Sequence, residues 1–298
     1  MKATGLAAAP RVGQAVRVTR FASYDGTMLS YRGTASGPVV VCLPGGPARN
    51  PVYLGDLGGL GAASGRDLVM LETRGTGESA VPADNTTYRC DRQVGDVEAL
   101  RMHLGLDRLD LLAHSAGANL AVLYAARYPD RIRRLVLLAP GLYALGLAPP
   151  PAAVLAAALA RRSAEPWYAE ARDAFLAAQA GRDSVASLRR YAPLYYRRWN
   201  ETTRAHADLG LEPRAALIAA RYYRRAFDPA ATVAALARLT APVLVYAGEL
   251  DVIPPAAQAA RAVGCFPDAE FAVHPGASHM PWVDDPAWLT ARIARFLA

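Results

Sequence analysis

The chain has 298 residues, of which 53% are hydrophobic, and carries a formal net charge of +7 at pH 7. This length and composition can bury one large core together with a smaller appended unit. The positive charge comes almost entirely from arginine, and no DNA- or RNA-binding motif accompanies it. We therefore expect a folded globular protein without a nucleic-acid partner.

Targeting signals and cysteine pattern favour a cytoplasmic protein. Residues 1–17 lack the continuous apolar run of a signal peptide, and no later stretch combines membrane-spanning length with an absence of charge and proline. We therefore expect no membrane contact. Cys42, Cys90 and Cys265 are odd in number and lack metal-ligand spacing, which favours reduced structural thiols and predicts no metal site. The oligomeric state stays open.

The first elements are a predicted hairpin and a buried strand. Residues 15–21 and 27–33 flank Asp25-Gly26, a turn signal that predicts an antiparallel hairpin. The apolar run at 39–43 predicts a central strand, and Pro44-Gly45-Gly46-Pro47 follows it. Glycines at this point leave backbone N–H groups available to form half of an oxyanion hole, with a plain tight turn as the alternative.

Further along the chain, strands alternate with helices. A strand at 67–72 leads into Arg74-Gly75-Thr76-Gly77-Glu78-Ser79, a helical pattern covers 92–106, and another buried strand covers 134–139. This order predicts an α/β protein with a mostly parallel, doubly wound sheet. Ligands bind at the carboxyl ends of the strands in such sheets.

An abrupt change from strand to helix surrounds Ser115. Residues 109–112 predict a buried strand and residues 116–127 predict a helix packed on the sheet. The small residues Ala113 and Gly117 allow a close approach of the two elements, which predicts a strained backbone at Ser115 and an accessible hydroxyl, as in a nucleophile elbow. The pentad departs from G-x-S-x-G at Ala113, and a serine that caps a helix is the alternative.

The sequence changes character after Pro140. Residues 141–239 contain no convincing strand, which predicts a helical cap (lid) domain inserted into a core domain formed by 1–140 and 240–298. Fourteen arginines and eight acidic residues lie between 148 and 238, which indicates either solvated helix faces or attraction of an anionic group. The aromatic residues of this part could wall a pocket or pack between helices: Trp167, Tyr168, Tyr191, Tyr195, Tyr196, Trp199, Tyr222 and Tyr223.

Two more polar residues follow predicted strands after the cap. Asp251 comes after the strand at 242–247, His279 comes after the strand at 270–273, and an amphipathic helix covers 286–297. Together with Ser115, they supply a nucleophile, an acid and a base in an order known from serine hydrolases.

Other candidates for these roles stay open. Glu249 is an alternative acid, whereas His274, at the end of a strand, is predicted to be structural. His114, next to the serine, could line a pocket or cover the sheet. His103 and His206 are predicted to be surface positions on helices.

These motifs together resemble a capped α/β-hydrolase. The elbow around Ser115, the loop Gly45-Gly46-Pro47, the segment 74–79, Asp251 and His279 carry the resemblance, which covers 16–140 and 240–298 but not the cap. Within the superfamily, the chain is most similar to the proline iminopeptidase branch, with its motifs H-G-G-P-G and D-x-R-G-x-G-x-S. The resemblance implies the α/β-hydrolase fold and a Ser-Asp-His triad.

The chain departs from the motifs of that branch in three places. Pro44 replaces the histidine, Ala48 replaces the final glycine, and Glu72 replaces the aspartate. Peptidases of this branch recognise a free amine through carboxylates of the cap, for which Glu201, beside Trp199, is the candidate. An arginine-rich cap would oppose the binding of a cation.

The predicted mechanism needs no metal or organic cofactor. His279 would deprotonate Ser115, Asp251 would orient the imidazole, and the backbone N–H groups of Gly46 and Ala116 would bind the oxyanion. A serine at the elbow argues against haloalkane dehalogenases and epoxide hydrolases, which carry a carboxylate there. The residues predicted to contact the substrate are Gly45, His114, Trp199 and Glu201.

Three functions follow as hypotheses. The first is a serine hydrolase that cleaves an ester, lactone or thioester, or an amide, of a small to medium organic substrate. The second is an aminopeptidase of the proline iminopeptidase type. The third is a non-hydrolytic cyclase or a ligand-binding protein on the same fold.

Overall fold

The computed structural model describes residues 17–181 and 185–298. Two predictions concern residues that lie outside these ranges: that the N-terminal residues form no signal peptide, and that the first strand begins at residue 15. Among the described residues, no helix is both long and apolar enough to cross a membrane.

Eight strands form one twisted sheet in the order β1-β2-β4-β3-β5-β6-β7-β8. The pairs β1–β2 and β2–β4 are antiparallel and all other pairs are parallel. The predicted mostly parallel sheet and hairpin are therefore confirmed. The strands are β1 Val18–Ala22, β2 Met28–Arg32, β3 Val39–Leu43, β4 Asp67–Glu72, β5 Leu109–His114, β6 Ile132–Leu138, β7 Val243–Gly248 and β8 Ala269–His274.

The central strands are apolar because helices cover both faces of the sheet. All residues of β3 and β5 are buried. One face of the sheet packs against the helices Cys90–His103, Gly117–Arg127 and Pro229–Leu236. The other face packs against the helices Leu60–Ser64 and Pro286–Leu297. The α-helices are α1 Leu60–Ser64, α2 Cys90–His103, α3 Gly117–Arg127, α4 Ala152–Ala160, α5 Tyr168–Gln179, α6 Val185–Tyr191, α7 Glu201–Asp208, α8 Ala215–Tyr222, α9 Pro229–Leu236, α10 Ala256–Ala260, α11 Pro281–Asp284 and α12 Pro286–Leu297.

The C-terminal helix shows how local sequence signals produce these elements. The Asp285 side chain accepts a hydrogen bond from the Trp288 amide and Pro286 is the first residue of α12, a favourable start for a helix. Leu289, Ile293 and Leu297 recur every four residues and are all buried. The helix therefore covers the sheet along one apolar stripe.

The segment between β6 and β7 is helical, with α4 to α9 and no strand among its described residues. Several of its arginines form ion pairs on the surface, such as Arg190 with Glu170 and Arg189 with Asp208, as expected for solvated helix faces. We call residues 141–239 the helical insertion. Its division from the sheet as a separate cap domain stays a prediction.

Candidate active site

Ser115 lies in the sharp turn between β5 and α3, with a positive φ of 52°. This conformation costs a non-glycine residue about 1–3 kcal/mol and persists only where the surroundings impose it. The Ser115 amide donates to the Leu138 carbonyl of β6 at 3.0 Å, and the Ser115 carbonyl accepts from the Gly141 amide at 2.7 Å. The end of β6 and the segment that follows it therefore hold the serine in place.

The loop after β3 passes very close to this turn. A Cβ atom at Gly117 would lie 2.5 Å from the Pro44 carbonyl oxygen, and one at Gly45 would lie 2.7 Å from Cβ of Ser115. Side chains at these positions would push the loop away from the serine. The two glycines are therefore needed for the close approach that the sequence predicts.

Ser115, His279 and Asp251 form one hydrogen-bonded line. Oγ of Ser115 lies 3.0 Å from Nε2 of His279, and Nδ1 of His279 lies 2.9 Å from Oδ2 of Asp251. Asp251 is fully buried and its Oδ1 accepts from the Ile253 amide at 2.8 Å. Because a carboxylate only accepts, Nδ1 of the neutral imidazole donates and Nε2 is left to accept the Ser115 proton.

Hydrogen bonds hold the loops that carry Asp251 and His279. The Leu250 amide donates to the Ala277 carbonyl at 2.8 Å. The Ser278 amide donates to Asp284 at 2.7 Å, and the hydroxyl of Ser278 donates to the Leu194 carbonyl of the helical insertion. Burial raises the pKa of Asp284 to about 6, against the lowering effect of its backbone donors.

The alternative acid and the second histidine lie elsewhere. Glu249 binds Arg161 and the Gly276 amide, each at 2.9 Å, and does not contact His279. His274 is buried, lies 2.5 Å from the Tyr246 hydroxyl and stacks on Trp288. The structure therefore brings Asp251, and not Glu249, to the base.

The two backbone amides predicted to form the oxyanion hole, those of Gly46 and Ala116, have no acceptor among the described residues. Ala116 precedes the first turn of α3, where the helix dipole favours negative charge. The Tyr222 hydroxyl of the helical insertion donates to the Ala116 carbonyl at 2.8 Å, and so binds the peptide unit that follows the Ala116 amide.

Ser115 and His279 open onto a cavity of about 280 Å³. The sheet side of this cavity is polar and the insertion side is mostly apolar. The sheet side contributes Gly46, Pro47, Ala48, Arg49, Tyr53, His114 and Met280, and the insertion contributes Leu188, Tyr191, Tyr195, Gly210, Leu211, Glu212, Ala215, Ala216 and Ala219. No arginine of the insertion lines the described part of the cavity.

Three of the four residues predicted to contact a substrate do not line this cavity. The Gly45 amide donates to the Tyr53 hydroxyl at 2.7 Å, so it is occupied. Trp199 packs on Tyr196, with ring centroids 5.7 Å apart. Glu201 is exposed, because the Asn200 cap starts α7 at the surface. The structure places these three residues outside the lining of the cavity, whereas His114 is part of that lining. That any of the four contacts a substrate stays a prediction.

Two cavity residues, Glu212 and Tyr53, and the part-buried position of His206 were not predicted from the sequence. Glu212 is the carboxylate of the insertion that lines the cavity, and its Oε1 accepts from the Gly77 amide at 2.8 Å. Tyr53 lies next to the elbow. His206 is part-buried, with Nδ1 at 2.8 Å from the Tyr196 hydroxyl, and is not a free surface residue. A Gly-Leu-Glu-Pro turn between two helices was the only sequence signal for Glu212.

The geometry provides no candidate metal centre. Among the described ranges, no three His, Cys, Asp or Glu side chains converge as metal ligands. Cys42 and Cys90 are buried free thiols, and burial raises the thiol pKa of both.

Comparisons with known proteins identify the class. The family model described as alpha/beta hydrolase fold matches residues 38–286. The chain therefore belongs to the α/β-hydrolase fold family and is a hydrolase of that superfamily.

Within this superfamily the chain lies close to the proline iminopeptidase branch. Proline iminopeptidase of Levilactobacillus brevis is 28% identical over 278 residues, which cover 87% of this chain and 88% of that protein. Proline iminopeptidase of Lactobacillus helveticus is 38% identical over 102 residues, which cover 34% of this chain and 35% of that protein.

Solved structures share the fold. An esterase from Exiguobacterium antarcticum has a TM-score of 0.72 and 17% identity, with 94% of this chain and 98% of that chain covered. Proline iminopeptidase of Mycobacterium smegmatis has a TM-score of 0.72 and 22% identity, with 94% and 97% covered.

Proposed function

We propose that the protein is a serine hydrolase that works through an acyl-enzyme on Ser115. The observation that carries this proposal is the line from Asp251 through His279 to the Ser115 hydroxyl, at 2.9 and 3.0 Å, at the wall of a cavity. Family membership supports the class of enzyme.

In the first half-reaction, Nε2 of His279 takes the Ser115 proton while Oγ attacks a carbonyl carbon. Asp251 holds the Nδ1 proton and stabilises the imidazolium. The N–H groups of Gly46 and Ala116 bind the oxyanion, and each such donor contributes about 3 kcal/mol to lowering the barrier. His279 then protonates the leaving group as the acyl-enzyme forms.

In the second half-reaction, water replaces the leaving group. His279 removes a proton from this water, which attacks the acyl carbon, and the same two amides bind the second oxyanion. His279 returns the proton to Ser115 and the carboxylic acid leaves.

The cavity supports a compact substrate. Its volume of about 280 Å³ lies at the lower limit of small-molecule pockets. Tyr191, Tyr195 and Leu211 favour an apolar or aromatic group, and only one carboxylate, Glu212, faces it from the described part of the insertion. We propose an ester, lactone or thioester of a small to medium organic acid as the substrate.

Steady-state turnover of p-nitrophenyl esters, lactones and acyl thioesters tests this proposal, with Ser115→Ala as the control. We expect turnover of short esters that Ser115→Ala abolishes. Equal turnover by wild type and Ser115→Ala would overturn the serine mechanism. No turnover by folded wild type would favour a non-hydrolytic cyclase or ligand-binding role.

A second candidate is an aminopeptidase of the proline iminopeptidase type. Two observations favour it: the L. brevis relative that covers most of the chain, and a cavity carboxylate, Glu212, that could bind an amine. This function predicts turnover of aminoacyl arylamides that Glu212→Gln lowers at least tenfold, with ester turnover unchanged. Glu201→Gln is the matched control, since Glu201 is exposed outside the cavity.

A further inference from the structure

Four polar groups connect the loop after β3 to the loop of the base. The Gly45 amide lies 2.7 Å from the Tyr53 hydroxyl, which lies 2.7 Å from Nδ1 of His114. Nε2 of His114 lies 3.0 Å from the His279 carbonyl oxygen. The chain of contacts therefore passes from the neighbour of Gly46, beneath Ser115, to the backbone of His279.

The chemistry of the groups sets the direction of each hydrogen bond. The His279 carbonyl can only accept, so Nε2 of His114 donates. Burial and the nearby His279 ring keep the pKa of His114 well below its usual value, so the ring is neutral and Nδ1 accepts. The Tyr53 hydroxyl therefore donates to Nδ1 and accepts from Gly45, and every donor and acceptor in the chain has one partner.

Tyr53 is itself held on several sides. Its ring lies 5.6 Å from His114 and 6.0 Å from Trp282 between centroids, and the Arg49 guanidinium lies 4.2 Å above it. The Tyr53 carbonyl accepts from Nε2 of His206 at 2.8 Å. Its side chain is 1% exposed. The hydroxyl thus has a fixed position in space.

The rest of the oxyanion loop is held by hydrogen bonds to backbone carbonyls of the helical insertion. Arg49 donates to the His206, Ala207 and Leu209 carbonyls at the end of α7. The Asn50 amide donates to the Gly210 carbonyl at 2.9 Å. These contacts hold the loop beyond Pro47, whereas Tyr53 holds it before Gly46.

We propose that Tyr53 and His114 are positioning residues that align the Gly46 oxyanion donor with the base, through Gly45 at one end and the His279 carbonyl at the other. This inference rests on the proposed serine hydrolase function. Neither side chain takes or gives a proton in the reaction. Their role is to keep the oxyanion donor and the imidazole at a fixed separation.

Tyr53→Phe tests this role because it keeps the ring and removes the hydroxyl. Gly45 then loses its acceptor and Nδ1 of His114 loses its donor. A displacement of about 1 Å at a reacting group can lower the rate by roughly a hundredfold. We expect kcat on a p-nitrophenyl ester, and the rate of Ser115 phosphonylation by a fluorophosphonate, to fall 10- to 100-fold, with KM within threefold of wild type.

Tyr246→Phe is the matched control. Tyr246 is also buried with its hydroxyl near a histidine Nδ1, that of His274 at 2.5 Å, but it lies away from the cavity. We expect its kcat to stay within twofold of wild type. If Tyr53→Phe and Tyr246→Phe both keep wild-type kcat and labelling rate, the positioning role is excluded.

His114→Gln provides a second variant, since it removes the acceptor of the Tyr53 hydroxyl at the other side. Because the two residues act as one unit, we expect the kcat of the double variant to be no lower than that of the less active single variant. Losses that multiply in the double variant would overturn the proposal. If wild type and all variants are folded but neither turn over esters nor label, the serine hydrolase function itself fails, and the inference fails with it.

Discussion

The sheet side and the insertion side of the cavity differ in the kinds of residue that they contribute. On the sheet side, defined hydrogen bonds join Ser115, His279 and Asp251. Defined hydrogen bonds also join the Gly45 amide, the Tyr53 hydroxyl and His114. On the insertion side, the wall consists mainly of alanine, leucine and tyrosine side chains. Under the proposed function, we expect the sheet side to carry the chemistry and the insertion side to select the substrate.

The largest effect is expected at the acid. Asp251→Asn should lower kcat by roughly 10⁴-fold, because an asparagine stabilises the wrong imidazole tautomer. Glu249→Gln is the control in the same loop and should leave kcat within threefold. Burst and steady-state kinetics on a p-nitrophenyl ester measure both. Similar losses in the two variants would contradict the assignment of Asp251.

The second-largest effect is expected on the free energy of unfolding, at Arg74. Arg74 is fully buried and binds Asp96 at 2.5 Å and Asp25 at 2.6 Å. Arg74→Met would leave Asp96 as a buried charge without its main partner, so we expect the free energy of unfolding to fall by about 3–5 kcal/mol. Arg172→Met, at an exposed pair with Asp173, should leave the urea midpoint unchanged. Equal midpoints for all three proteins would exclude this role.

A pH effect is expected where the two regions meet. The carboxyl of Asp284 accepts from the Arg197 and Ser278 amides, and burial raises its pKa to about 6, from the 3.8 that is usual for an aspartate. The folded state therefore binds the proton more tightly than the unfolded state. This group contributes stability below about pH 4 that is lost as the pH rises through 6, by about 3 kcal/mol at most.

Asp284→Asn isolates that contribution. Relative to the variant, wild type should lose stability between pH 4 and pH 7, as measured by urea unfolding at each pH. Parallel curves for the two proteins across this range would show that Asp284 does not titrate as expected.

The smallest effect is expected on the insertion side. Ala219 lines the cavity, and Ala219→Leu should reduce its volume without touching the polar groups. We expect KM for a hexanoyl ester to rise about tenfold and kcat/KM for an acetyl ester to change less than twofold. Ala220→Leu, at the exposed next position of α8, should change neither. A loss of kcat on both esters in Ala219→Leu would contradict the division between the two sides.

The sequence predicts the sheet side well because its signals are local. The strands Val39–Leu43 and Asp67–Glu72 and the helix Pro286–Leu297 have the predicted bounds, since continuous apolar runs and a Pro start mark them. Ser115, Asp251 and His279 each follow a strand, and parallel strands bring their carboxyl ends to one edge.

The insertion side could not be predicted in the same way. Trp199 and Glu201 are two positions apart and were expected at the substrate, but the packing of α7 leaves Glu201 in solvent. Glu212 lines the cavity because it lies in the turn between α7 and α8. Hydrophobic periodicity does not predict where such a turn lies. Tyr53 was missed because a lone tyrosine in a loop has no pattern, and its role depends on contacts with His114, 61 positions away.

The central claim is that Ser115 is the nucleophile. Intact mass spectrometry after treatment with a fluorophosphonate, followed by peptide mapping, tests it most directly. We expect one added phosphonyl group per chain, located on Ser115, absent in Ser115→Ala and formed at least a hundredfold more slowly in His279→Ala. A folded wild-type protein that stays unlabelled, or that labels equally in Ser115→Ala, would contradict it.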